Sequence, residues 1–185
     1  PSTVTSIGLN VFYGCNNLSL TWEYNPSLTA IGLKERLTKV IVSNDSTSLP
    51  AESFKDCTEL IEINLPNTLE RIEDSVFMGC SSLSYINIPS SVTYIGFGAF
   101  SGCSSLTSII IPNGVTSIKA ETFYYCLSLK YVTFGLGIEY IEFNAFRYCT
   151  SLNSITIPES VINIGVQAFS YCPNLSFVHL WHWQL

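Results

Sequence analysis

Charge is scarce in this chain. Asp, Glu, Lys and Arg make up 12% of its 185 residues, the net charge is −6, and no run of Lys or Arg occurs. A phosphate backbone or an anionic bilayer needs clustered basic side chains, so nucleic acid and acidic membrane surfaces are disfavoured as partners. No apolar stretch approaches the roughly 20 residues of a membrane span. Histidine is confined to His179 and His182 near the end, and no C-x-x-C pair exists, the wrong company for a metal site. Serine is abundant, yet no G-x-S-x-G elbow presents one as a nucleophile. The acidic residues Glu70, Glu73, Asp74, Glu139 and Glu142 are scattered and suit a solvated face. Neither catalysis, a metal nor a cofactor is expected.

What the chain has is a period. Cys57, Cys80, Cys103, Cys126, Cys149 and Cys172 follow one another at 23 residues, each with a Phe three positions before it and a Leu three after. A repeat of this length is one supersecondary unit copied and stacked, because a single unit cannot bury its own apolar face. At 47% apolar residues the chain is far from disorder. No linker interrupts it, so residues 1–185 read as a single domain.

Within a unit, Leu83–Ile88 alternates apolar and polar residues with period two, which predicts a strand with Ile86 and Ile88 inward. Pro89 lacks an N–H and ends the ladder. Val92 and Ile95 belong to an extended or turn-like return segment. Phe100 and Cys103, three apart, predict one short helical turn facing inward. Strands are expected around 22–24, 40–42, 63–65, 86–88, 109–111, 132–134, 155–157 and 178–180. The unit at about 16–36 is atypical, being four residues short from Cys15 to Lys34.

Seven cysteines admit disulfides, metal ligation, or a column of buried reduced thiols. The column is preferred, because a uniform ladder gives no reason to select pairs and seven cannot all pair. Phe77, Cys80, Phe100, Cys103, Phe123, Cys126, Phe146 and Cys149 are thus expected to form the structural core. The inward strand positions are monotonously Ile, Val and Leu, whereas the outward ones vary. One outward column runs Lys39, Glu62, Tyr85, Ser108, Tyr131, Ser154, Phe177; the other runs Ile41, Asn64, Asn87, Ile110, Thr133, Thr156, His179. Exposed aromatics among polar groups suit protein or sugar contact, although strand propensity alone also favours Tyr and Thr. A second stripe, Tyr125, Tyr148 and Tyr171, precedes successive cysteines and reads as mutual packing before a ligand site. Asn17, Asn44 and Asn174 stand in glycosylation sequons, which would matter only in a eukaryotic secretory pathway.

The stretch Ala99-Phe100-Ser101-Gly102-Cys103-Ser104-Ser105-Leu106-Thr107-Ser108-Ile109, followed by Ile111-Pro112-Asn113-Gly114-Val115-Thr116-Ser117-Ile118, resembles the BspA-like leucine-rich repeats, also called type-5 or Treponema-type. The resemblance covers about Val4 to Leu180. The chain departs from the commonest leucine-rich repeat, with Pro66, Pro89, Pro112 and Pro158 near the place of the usual inward Asn. The resemblance implies an α/β solenoid, a right-handed stack of about eight 23-residue units. A parallel sheet would line one face, in a fold mostly of strand and loop with short helical turns. It implies a non-enzymatic, cell-surface or extracellular interaction module of an adhesin-like protein, with a protein or glycoprotein ligand. The ligand would meet the sheet face at Lys39, Glu62, Asn64, Tyr85, Asn87, Ile110, Tyr131, Thr133, Thr156, Phe177 and His179. Spacer repeats that display another domain are the alternative. The chain begins inside a unit and reads as a fragment of a longer protein. Its last strand has an open edge followed by Trp181 and Trp183, which favours weak self-association through that end.

Overall fold

The computed structural model describes residues 21–24 and 36–180. The chain winds as a parallel β-solenoid of about six turns of 23 residues. Each turn passes through a front segment, a two-residue back strand and a tight turn rung. The front strands are β1 (Thr21–Tyr24), β2 (Lys39–Val42), β4 (Glu62–Asn64), β7 (Ser108–Ile110), β9 (Tyr131–Thr133), β11 (Ser154–Ile157) and β13 (Phe177–Leu180). They form three parallel ladders, β1-β2-β4, β7-β9 and β11-β13, with partners 23 residues apart, for example Ser108↔Tyr131, except for β1 and β2, whose partners such as Thr21↔Lys39 are 18 apart. The back strands are β3 (Ser48–Leu49), β5 (Arg71–Ile72), β6 (Tyr94–Ile95), β8 (Ser117–Ile118), β10 (Tyr140–Ile141) and β12 (Asn163–Ile164). They pair as β3-β5-β6 and β8-β10-β12. This second sheet was expected only as an extended return.

Two expectations are corrected. No strand forms at Ile86–Ile88, although Ile86 and Ile88 stay buried and Tyr85 and Asn87 exposed. The alternation survives there without ladder bonds, so the front sheet is interrupted. Nor is the Phe-to-Cys segment a helical turn. It is a chain of β-turns in which two residues per unit, five and one before each Cys, have positive φ. In the unit of Cys103 these are Gly98 (φ 58°) and Gly102 (φ 73°); in that of Cys149 they are Asn144 (φ 56°) and Tyr148 (φ 63°). The reversals alternate the backbone amides. Ser53, Lys55 and Cys57 donate within their own turn to the carbonyls of Pro50, Glu52 and Phe54. Glu52, Phe54 and Asp56 donate to Asp74, Val76 and Met78 of the next unit. A helix would satisfy these donors internally and leave neighbouring units untied.

The rung carries the core. Phe54, Phe77, Phe100, Phe123, Phe146 and Phe169 stack with ring centroids 5.1–5.7 Å apart. Such pairs contribute about 0.5–1.5 kcal/mol each beyond their buried area. Phe77, Cys80, Phe100, Cys103, Phe123, Cys126, Phe146 and Cys149 are fully buried. No disulfide links the six described cysteines. Cys103 Sγ donates to the carbonyl of Phe77 at 3.2 Å, and Cys80, Cys126, Cys149 and Cys172 repeat the contact one unit back. Burial pushes the thiols of Cys103, Cys126 and Cys149 well above the ordinary cysteine value, with neighbouring thiols acting the same way. Pro66, Pro89, Pro112 and Pro158 each accept from the amide three residues on, turning the chain out of the front strand. The tail Trp181–Leu185, with Cys15, Asn17 and the atypical unit apart from β1, lies outside the described residues.

Candidate interaction face

The pleat of the front strands aims alternate residues to opposite sides. Val40, Ile63, Ile86, Ile109 and Ile155 therefore point into the stack, and all are buried. Their neighbours point to solvent. Glu62, Asn64, Tyr85, Asn87, Ile110, Tyr131, Thr133, Thr156, Phe177 and His179 are exposed, and Lys39 is half-buried. Tyr85, Tyr131 and Phe177 leave 62%, 61% and 62% of their surface accessible, and Ile110 leaves 69%. These four apolar side chains stand in the two outward columns.

Within the two outward columns charge is confined to the first end, where Lys39 Nζ lies 2.8 Å from Glu62 Oε1 across the β2-β4 ladder, while exposed Lys130 stands just before Tyr131. The hydrogen bond from Lys39 holds the Glu62 carboxyl below its ordinary value. From Tyr85 onward the two outward columns hold no Asp, Glu, Lys or Arg. Phe177 and His179 lie on the same side of β13 with ring centroids 6.4 Å apart. The arrangement offers apolar rings, amides and hydroxyls on a rigid support. Among the described residues no group of His, Cys, Asp and Glu is placed to hold a metal ion. No helix among them is long and apolar enough to cross a membrane.

The other faces carry groups whose pairing sequence reasoning missed. On the back sheet the Arg71 guanidinium lies 4.0 Å from the centre of the Tyr94 ring, and Arg71 Nε donates to Glu73 at 2.6 Å. Burial works upward on the Glu142 carboxyl. Hydrogen bonds from Lys119, Ser117 and the Ala120 N–H outweigh it and leave that carboxyl below its ordinary value. On the turn rung, Tyr125, Tyr148 and Tyr171 stack with centroids 4.5 and 4.6 Å apart. Arg147 lies 5.0 Å from the Tyr148 ring and 5.2 Å from that of Tyr171. All three tyrosines have positive φ, a conformation that bulky residues rarely adopt. The glycines at the same place in earlier units, Gly79 and Gly102, were the available sign of it. A cavity of about 450 Å³ opens beside this stack, lined by Tyr148, Thr150, Phe169, Tyr171, Cys172 and Pro173.

The family described as BspA type leucine rich repeat region matches the chain in six copies, over residues 1–96, 33–150 and 70–182. A leucine-rich cell surface protein of Faecalibacterium prausnitzii is similar at 33% identity and TM-score 0.75, over 95% of this chain and 46% of that one. A leucine-rich repeat protein of Bacteroides ovatus is 30% identical with TM-score 0.75, over 95% of this chain and 41% of that one. The leucine-rich repeat protein of T. pallidum is 29% identical with TM-score 0.72, over 93% and 72%. The chain thus spans less than half the length of the first two relatives. No match was found among curated proteins.

Proposed function

Because the chain belongs to the BspA-type leucine-rich repeat family, we propose that it is a non-enzymatic interaction module of a bacterial cell-surface, adhesin-like protein. On this reading it binds a protein or glycoprotein of a host or neighbouring cell through the outward face of its front sheet. The observation that carries this is the contrast between the two sides of the same strands. From Val40 onward, inward positions are Ile, Val or Leu in every unit, apart from Phe134. Outward positions change residue type at almost every step. Stacking would be served equally by a uniform outer face, so the variety supports recognition. Lys39, Glu62, Asn64, Tyr85, Asn87, Ile110, Tyr131, Thr133, Thr156, Phe177 and His179 are the residues proposed to meet the partner. Exposed rings such as Tyr85 and Tyr131 supply much contact area for little ordering cost.

One relative supports the same setting, since the F. prausnitzii protein is described as a cell surface protein. The test replaces Tyr85, Tyr131 and Phe177 together by Ala. Adsorption to immobilised extracellular-matrix glycoproteins should fall at least tenfold, with the thermal unfolding midpoint nearly unchanged because the three side chains face solvent. Undiminished adsorption by the folded triple variant would remove the sheet face from the proposal.

A further inference from the structure

The step from the turn of Cys80 to the turn of Cys103 is tied differently from its neighbours. On the back side Thr93 and Tyr94 donate to the Glu70 carbonyl one turn earlier, and Gly96 donates to that of Ile72. Glu139 and Tyr140 donate in the same way to Thr116, and Glu142 to Ile118. Thr116, Ser117 and Lys119 hold the same places in the turn between. Yet no backbone hydrogen bond joins residues 85–96 to residues 108–119. The front is open at the same step, since Ile86–Ile88 pairs with neither β4 nor β7, and β6 and β8 fall in different sheets. Every other step between described turns keeps a ladder on its front or its back.

Side chains divide along the same line. Before it, Arg71 covers the Tyr94 ring, Asp74 accepts from the Phe97 N–H at 2.8 Å, and Ser91 donates to the Leu69 carbonyl at 2.6 Å. After it, Glu142 gathers Ser117, Lys119 and Ala120, and the Leu136 N–H donates to Asn113 at 3.0 Å. Gly114 holds the place of Ser91 and has no hydroxyl with which to reach the Val92 carbonyl. We infer that the described stack is two stiff blocks, residues 39–96 and 108–180, joined by a hinge along the turn rung. The bonds that cross the step lie on the rung and at the start of the front segment. They run from Gly98, Phe100 and Gly102 to Ala120, Thr122 and Tyr124, and from Ser105 and Thr107 to Ser81 and Ser84. Thr122 Oγ1, 3.4 Å from the Gly96 carbonyl, marks their margin. Beyond it the two turns meet through buried Ile86, Val92 and Ile95 on one side and Ile109, Val115 and Ile118 on the other. Apolar contact is non-directional, so these surfaces can shift where a ladder would hold them in register. Tyr85 and Asn87 ride on one block, and Ile110, Tyr131 and Thr133 on the other. The hinge itself needs no partner on the front face.

Residual dipolar couplings of the full chain in a dilute aligned medium test this. The backbone couplings of residues 39–96 and 108–180 should require two alignment tensors. Native-state exchange of the Thr116, Ser117 and Lys119 amides should run at least tenfold faster than that of Glu139, Tyr140 and Glu142. Thr93 and Thr116 are both exposed, and a Cβ added at Gly114 would lie 3.0 Å from Thr93 Cγ2, so the open edges are close. A Thr93→Cys and Thr116→Cys pair, oxidised to a disulfide across the step, should therefore merge the two tensors into one. The Glu70→Cys and Thr93→Cys pair, oxidised one turn earlier inside the first block, should leave two. A single tensor for the unmodified chain would overturn the inference. So would two tensors that persist with the Thr93–Thr116 bridge closed, or one tensor produced by the earlier bridge.

Discussion

Raising the pH from 7.5 to 9.5 should destabilise this protein far more than its sparse charge would indicate, and the cause is the cysteine column. The thiols of Cys103, Cys126 and Cys149 are pushed well above their ordinary value because burial disfavours the thiolate. A folded value raised above the unfolded one gives stability that is whole below the unfolded value and drains as pH climbs past it toward the folded value. An unfolded cysteine ionises near about pH 8.5. At pH 9.5 the unfolded state gains about 1.4 kcal/mol per thiol while a thiol still protonated in the fold gains nothing. Three thiols together amount to about 4 kcal/mol, set against the 5–15 kcal/mol stability of ordinary domains. The assay is urea unfolding at constant ionic strength across this range, compared with a Cys103→Ala and Cys126→Ala double variant. That variant starts less stable, but its loss between pH 7.5 and 9.5 should be smaller by about 2.8 kcal/mol, the share of two thiols. Lys and Tyr titrate alike in both proteins and cancel. Equal alkaline losses would refute the reasoning, as would rapid native-state labelling of more than the half-buried Cys172 among the six described thiols.

Two further outcomes follow from the turn geometry and the back sheet. Gly102→Ala should cost about 1–2 kcal/mol in denaturant unfolding. At φ 73° the backbone is strained for any L side chain, while a Cβ there meets Gly79 only at an ordinary 3.5 Å. Gly135→Ala should cost more despite its unstrained backbone, because its Cβ would sit 2.5 Å from the Pro112 carbonyl oxygen; equal costs would contradict this division between strain and space. The lowered Glu142 carboxyl contributes stability that is present above the usual carboxylate range and lost as pH falls through its folded value. Glu142→Gln should therefore flatten the acid limb of the unfolding midpoint, and an unaltered limb would mean that the Lys119, Ser117 and Ala120 contacts hold no net charge preference.

The stack was legible because its signal is a strict period on large side chains. Phe100 and Cys103 are both fully buried, and copies at 23-residue intervals leave one way to superpose them. The front strands at 40–42, 109–111 and 155–157 followed from alternation with Ile and Val. The segment around Ile86 has the same alternation yet forms no ladder bonds, since period two reports which side a residue faces and not whether its amides find partners. The turn rung is not legible from spacing, because an interval of three serves a helical turn and a run of β-turns equally. Gly98 and Gly102 could have separated the two, as glycines placed where φ is positive. The same positions in the units of Cys126, Cys149 and Cys172 hold Glu121, Tyr125, Asn144, Tyr148, Gln167 and Tyr171, which mask the sign. The back sheet was hidden for a simpler reason. Two-residue strands such as Tyr94–Ile95 are too short to show any period.

The alternating amides of the turn rung have a mechanical consequence. Bonds such as Phe54 to Val76 and Phe100 to Thr122 point along the stack, as the sheet ladders do. A pull between the two ends therefore does not shear the molecule as a block; it loads the outermost turn alone, whose few bonds part before the next set bears tension. Each turn that peels away gives up 23 residues, about 80 Å of slack at about 3.5 Å per residue, against about 4.8 Å of stack. Under drag the molecule would lengthen in discrete increments while the remaining turns stay folded, and each increment would dissipate work that would otherwise fall on whatever the chain is holding.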